Sequence, residues 1–284
     1  MPLPNPLSPI AAQVKRSLVG EVRAVFHDQA RGEAPVVPRD DGLFPPGSVV
    51  RRVHSDVTAM MVGGVAGLLM QMLHPAVLAG VWDHSRFRED MLGRLRRTAR
   101  FIALTTYGGR DEAEAAIARV RAIHERVRGT VPAGEAYAAA DPRLLAWVHV
   151  TEATCFLNAW VRYAEPRMTR ADRDAYFAEF ARVAEALGAD PVPRSEAAAE
   201  RLIASMRPEL RADARSREVS RLILRQRAPR PAAEPVQQLT FRAAIDLLPD
   251  WARRMHGLHP PRLATPLVRA GTFGLAQTLR WAFR

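Results

Sequence analysis

Residues 57–73, VTAMMVGGVAGLLMQML, constrain the fold more than any other stretch of this chain. The run carries no charge, and its apolar side chains fall on every side of the helix it would form, so that helix must be covered all round. It is slightly short for a membrane span and is interrupted by Gly63, Gly64 and Gly67. A buried core helix is the better reading, with glycines that admit close neighbours. Ser55 or Asp56 supplies its N-cap, and His74-Pro75 ends it, because proline disfavours helical backbone in the residue before it.

A covered helix needs partners, and the rest of the chain supplies them. Strand-like alternation is nearly absent, while helical periodicity recurs. Short and medium helices are expected at about 75–82 and 89–106, the second ending at Gly108-Gly109. Asp111 and Glu114 form a capping-box-like start for a helix running to Gly129. Asp141-Pro142 opens a long helix to about Tyr163, and Thr169 and Gly188 bound the next. SEAAAERLIASMRPEL and SREVSRLILRQ read as helices, APRPAAEP as a surface connector, and the tail as two or three further helices. The expected fold class is all-α: a single-domain, multi-helix bundle around a buried central helix over residues 46–284. A proline-rich arm, residues 1–45, precedes it and carries a candidate helix around 11–30.

At 284 residues the chain is long enough for a sizeable core. Its formal charge of +11 suggests an anionic partner at first sight. However, Lys15 is the only lysine, and the arginines are dispersed among acids rather than gathered in a stripe. A solvated surface follows, with no nucleic-acid partner expected. Cys155 is alone, which excludes an intrachain disulfide and a cysteine-based zinc site. The N-terminus has no basic stretch ahead of an apolar run, so a cytoplasmic protein without stable membrane insertion is expected, and a homo-oligomer is compatible with the sequence.

No phosphate-cradling glycine loop, HExxH or GxSxG is present. The chemistry therefore rests on histidines and one arginine cluster. In AAIARVRAIHERVRG, residues 115–129, the apolar stripe runs through Ile117, Val120, Ile123 and Val127, and His124 falls inside it. It is either a core histidine bonded to a backbone carbonyl or a ligand turned inward. Arg94, Arg97 and Thr98 share one helical face at i, i+3, i+4, with Arg96 pointing elsewhere. Such a face suits a bound carboxylate or a polarised oxygen species, or else it is solvated and ion-paired. Leu145, His149, Glu152 and Phe156 line another face, where Glu152 either orients His149 as a proton relay or pairs with it structurally. His74 is expected to meet free carbonyls at a helix end, His84 to sit in a cap or loop, and Cys155 to be a small core residue. A non-haem metal site from His74, His124 and His149 is a further alternative.

LHPAVLAGVWDHSRFREDMLGRLRRTARFI, AIARVRAIHERVRG, ADPRLLAWVHVTEA and LLPDWARRMHGL occur in this order between about residues 45 and 260. Together they resemble the family that includes latex clearing protein, a rubber oxygenase, and the mycophenolic-acid pathway oxygenase. The resemblance implies an all-α fold with a haem pocket holding b-type haem, with His124 as the iron ligand and Arg94, Arg97 and Thr98 on the distal side. Latex clearing protein has a lysine where Arg97 stands; a guanidinium stays protonated and cannot ligate iron, so an open or water-occupied distal position is expected. The function implied is a haem-dependent oxygenase using dioxygen on a small apolar substrate, unsaturated or isoprenoid-like, with Arg94, Thr98, His149 and Glu152 in catalytic roles. The alternative is a non-catalytic helical haem- or lipid-binding protein.

Overall fold

The computed structural model describes residue 13 and residues 34–228, 230–259 and 265–283. The candidate helix around 11–30 lies outside the described residues, apart from Gln13. Among the described residues the chain forms twelve helices of the α type and one two-stranded hairpin. They are α1 (Val49–His54), α2 (Val57–Gln71), α3 (Pro75–His84), α4 (Met91–Tyr107) and α5 (Arg110–His124), then β1 (Arg128–Thr130) and β2 (Ala136–Ala138). After them come α6 (Pro142–Tyr163), α7 (Arg170–Leu187), α8 (Glu196–Met206), α9 (Ala214–Leu224), α10 (Glu234–Leu247), α11 (Asp250–His256) and α12 (Thr265–Phe283).

α2 is the central helix. Asp56 caps it by accepting the Ala59 N–H at 2.7 Å. α6, α10 and α12 all pack against it. Gly63 brings it so close to α6 that an added Cβ would lie 2.8 Å from the Cys155 carbonyl oxygen. α6 is capped by Asp141, and Trp147, Val150, Ala153 and Phe156 are wholly or almost wholly buried along it. α7 runs from its Thr169 cap to Gly188, which stops the helix in the left-handed conformation at φ 95°. Among the described residues no single helix is long and apolar enough to cross a membrane. The last part of the arm, residues 34–45, has no helix but is tied down: Arg39 N–H donates to the Tyr107 carbonyl at 2.8 Å, and Phe44 is fully buried.

The structure departs from the sequence reading in the middle of the chain. α5 is capped at Gly109, whose N–H donates to the Glu112 carboxylate at 2.9 Å, rather than at Asp111 with Glu114. It ends at His124, not Gly129. Val127 and Gly129 belong instead to the turn and hairpin beyond it, where Gly129 pairs with Tyr137. Tyr137 supplies the reason: its ring joins Ala79 and Val131 in a small second core, which holds the hairpin against α3. Ile123 is accordingly 51 % exposed, not part of a buried stripe. His74 lies between two helices: its N–H donates to the Gln71 carbonyl at the end of α2 at 3.1 Å, and it caps the start of α3. Its Nδ1 accepts the Ala76 N–H at 3.3 Å, and its Nε2 faces Glu209 at 3.6 Å. His84 is the last residue of α3, against the Arg128 carbonyl at 3.1 Å.

Candidate functional site

α4 and α5 are joined only by Gly108-Gly109 and pack as a hairpin, which brings the start of α4 opposite the end of α5. That places Arg94 near His124. Burial, and then the positive charge of Arg94, both lower the proton affinity of His124, so its imidazole is neutral at pH 7. The ring is half-buried, its Nδ1 is shut off from solvent, and no hydrogen bond to it forms among the described residues.

Arg94 is half-buried, and its Nη1 donates to the Ser85 hydroxyl at 3.0 Å. Burial, and after it the neighbouring Arg97, push its pKa down. Among the described residues it has no ion pair to a carboxylate. A guanidinium in this position draws an anionic or strongly polar ligand, since a charge withdrawn from water without a counter-charge is costly. The other two members of the cluster are different. Arg97 is 53 % exposed and reaches Asp90 at 3.4 Å, and Thr98 is exposed with its hydroxyl donating to the Arg94 carbonyl at 3.2 Å. The expected common face therefore holds one withdrawn guanidinium, not two.

His149 and Glu152 are not a hydrogen-bonded pair. The His149 ring packs on Phe180 of α7 with centroids 5.0 Å apart, and its buried Nε2 has no partner among the described residues. Burial lowers its pKa to about 4. Glu152 lies over Gly67 of α2, and burial raises its carboxyl pKa to about 7. Its charge adds to the burial that pushes up the Cys155 thiol and the Tyr176 phenol. Val57, Met61, Gly64, Leu68 and Gln71 form a half-buried stripe along the central helix.

One polar chain was not anticipated. His54 Nδ1 lies 2.9 Å from the Thr106 hydroxyl and its Nε2 lies 3.0 Å from the Tyr176 hydroxyl, all buried. The signal was present in the sequence: His54 follows Val50 at i+4 in an apolar stripe. His74, His124 and His149 do not converge, and among the described residues no group of three metal-ligating side chains gathers.

Glu152 carries a pH signature. Its folded pKa near 7 exceeds the ordinary 4.5, so stability is fully present below pH 4.5 and is lost as pH rises through 7. Glu152→Gln should remove that loss. In urea titrations the variant should gain up to ~3 kcal/mol over wild type at pH 8, with the gain shrinking towards pH 4.5. A pH-independent difference would contradict the burial of this carboxyl.

The site thus belongs to an all-helical domain with an inward, unpaired imidazole and a withdrawn guanidinium facing it. The chain belongs to the family described as the ER-bound oxygenase mpaB/B′ and rubber oxygenase catalytic domain, whose model matches residues 51–281. That membership makes it an oxygenase-type oxidoreductase. Comparison with curated proteins found no match, and neither did comparison with solved structures.

Proposed function

We propose that the chain is a haem b-dependent oxygenase acting on an apolar substrate, unsaturated or isoprenoid-like, with His124 as the residue that would hold the iron. The observation that carries this reading is the meeting of His124, whose ring has no hydrogen-bond partner among the described residues, and Arg94, which has no carboxylate partner among them. These residues fit the group. A neutral imidazole with a free nitrogen is what axial ligation requires, and a lone guanidinium suits a propionate or a bound oxygen species. The half-buried stripe of Met61, Gly64 and Leu68 offers an apolar wall.

When bound, haem iron supplies the activation of dioxygen that no side chain here can perform. The chain's own residues do the rest. His124 holds its position at the end of α5, kept neutral by burial and by Arg94. Arg94, steadied by Ser85, presents positive charge to an anionic group. Glu152, poised near neutrality, takes up or gives a proton at its carboxyl oxygen. His149 stays neutral against Phe180.

Protein produced with ample haem should show a Soret band, give a b-type pyridine haemochrome and consume oxygen with isoprenoid substrates. Colourless protein that ignores added hemin would overturn the proposal. Arg94→Ala should lower haem affinity or turnover at least tenfold, whereas Arg97→Ala, which removes an exposed side chain paired with Asp90, should change either by less than threefold. Equal effects in hemin titrations would return the cluster to the solvated surface.

A further inference from the structure

A cleft of about 990 Å³ opens between α6, α8, α10 and α11, and neither Arg94 nor His124 lines it. Its volume lies near the upper end of the ~300–1,000 Å³ typical of small-molecule sites. Met70, Ile203, Leu247 and Leu248 give it an apolar floor. The Thr154 hydroxyl lines it as well, buried and without a hydrogen-bond partner.

The charges around the cleft do not balance. Five arginines line it, Arg162, Arg207, Arg253, Arg254 and Arg269, against the carboxylates of Glu200, Asp246 and Asp250. Asp246, its side chain only 4 % exposed, accepts from Arg162 at 2.9 Å and from Arg269 at 2.8 and 3.1 Å. Arg253 lies 3.9 Å from Asp246 and also bonds Asp250. Arg162, Arg253 and Arg269 are thereby occupied. Arg207 and Arg254 have no carboxylate partner among the described residues. Arg207 lies over the Trp251 ring, 5.0 Å from its centroid, and Arg254 lines the same rim. Glu200 is unpaired too, but one carboxylate does not offset two guanidiniums.

We propose that this cleft binds a single-chain amphiphilic anion: a hydrocarbon chain headed by a carboxylate or phosphate. The head lies at Arg207 and Arg254 beside Trp251, and the chain covers Met70, Ile203 and Leu247. Guanidiniums recognise both heads through paired N–H donors, and the indole and floor shed water from the chain. The site is independent of the proposed haem site, and haem content does not enter its measurement.

The test is calorimetric titration of the full-length protein with dodecanoate, dodecyl phosphate and dodecyltrimethylammonium, each below its micellar concentration. One equivalent of at least one anionic amphiphile should bind at least tenfold more tightly than the cationic one. Whichever anion binds more tightly identifies the preferred head. The double variant Arg207→Glu/Arg254→Glu should weaken that binding at least tenfold. Ile203→Trp, which fills the floor, should weaken it as well, while thermal unfolding shows both variants folded. Equal affinity for anion and cation would overturn the proposal. So would unchanged binding in the charge-reversed variant, or binding confined to phosphatidylglycerol vesicles.

Discussion

His124→Ala is expected to leave a folded, colourless protein. Expressed with excess haem, it should retain at least tenfold less than wild type, by haemochrome, and lose the wild-type Soret band. The fold should survive because His124 is the last residue of α5, only half-buried, and its side chain makes no hydrogen bond among the described residues. Removing an imidazole whose buried Nδ1 is unpaired relieves a desolvation cost of ~1–3 kcal/mol, so the haem-free variant should unfold no earlier than haem-free wild type. Added imidazole should enter the space vacated and restore a ferric spectrum with haem, which a merely structural histidine would not permit. His149→Ala is the companion: it removes a ring packed at a tilt against Phe180, and should keep haem while slowing turnover. Haem lost only in the His149 variant would transfer the ligand role from α5 to α6.

The long elements were legible because each carries its own start and stop. Asp56, Asp141 and Thr169 cap α2, α6 and α7 as their sequence positions imply, and Gly188 ends α7. The hairpin at 128–138 was not legible. Strands of three residues are too short to show alternation, and the contact that orders them, Tyr137 on Ala79, joins distant parts of the chain. At the site, the meeting of Arg94 and His124 is implied by two helices closing at Gly108-Gly109. The pairing of His149 with Glu152 was over-read. Residues at i and i+3 diverge by about 60° around a helix, and here the His149 ring packs on Phe180 of α7 with no hydrogen bond to Glu152. The exposure of Arg97 and Thr98 was equally hidden, because spacing fixes which residues share a face but not what covers it.

The central helix makes the strongest stability prediction. Gly63→Ala should destabilise the protein by ~2–3 kcal/mol and Gly63→Val by more, while Gly64→Ala should be neutral or stabilising. The two glycines are neighbours in the same helix, and alanine raises helix propensity by ~1 kcal/mol at either. They differ in what a Cβ meets. At Gly63 it would lie 2.8 Å from the Cys155 carbonyl oxygen and 2.9 Å from the Phe156 Cα, backbone atoms that no rotamer change can move aside. At Gly64 it would touch only the Phe156 ring at 3.7 Å, an ordinary contact. Relief at Gly63 thus requires α6 as a whole to retreat from α2, against the close packing of the two helices. The same retreat carries Glu152 away from Gly67 and returns its carboxyl towards water, so its pKa should fall from about 7 towards the ordinary value in any Gly63 variant that still folds. Denaturant midpoints measure the first effect, and carboxyl titration by NMR the second. If Gly63→Ala and Gly64→Ala shift the midpoint equally, the close approach of α2 to α6 does not set the core.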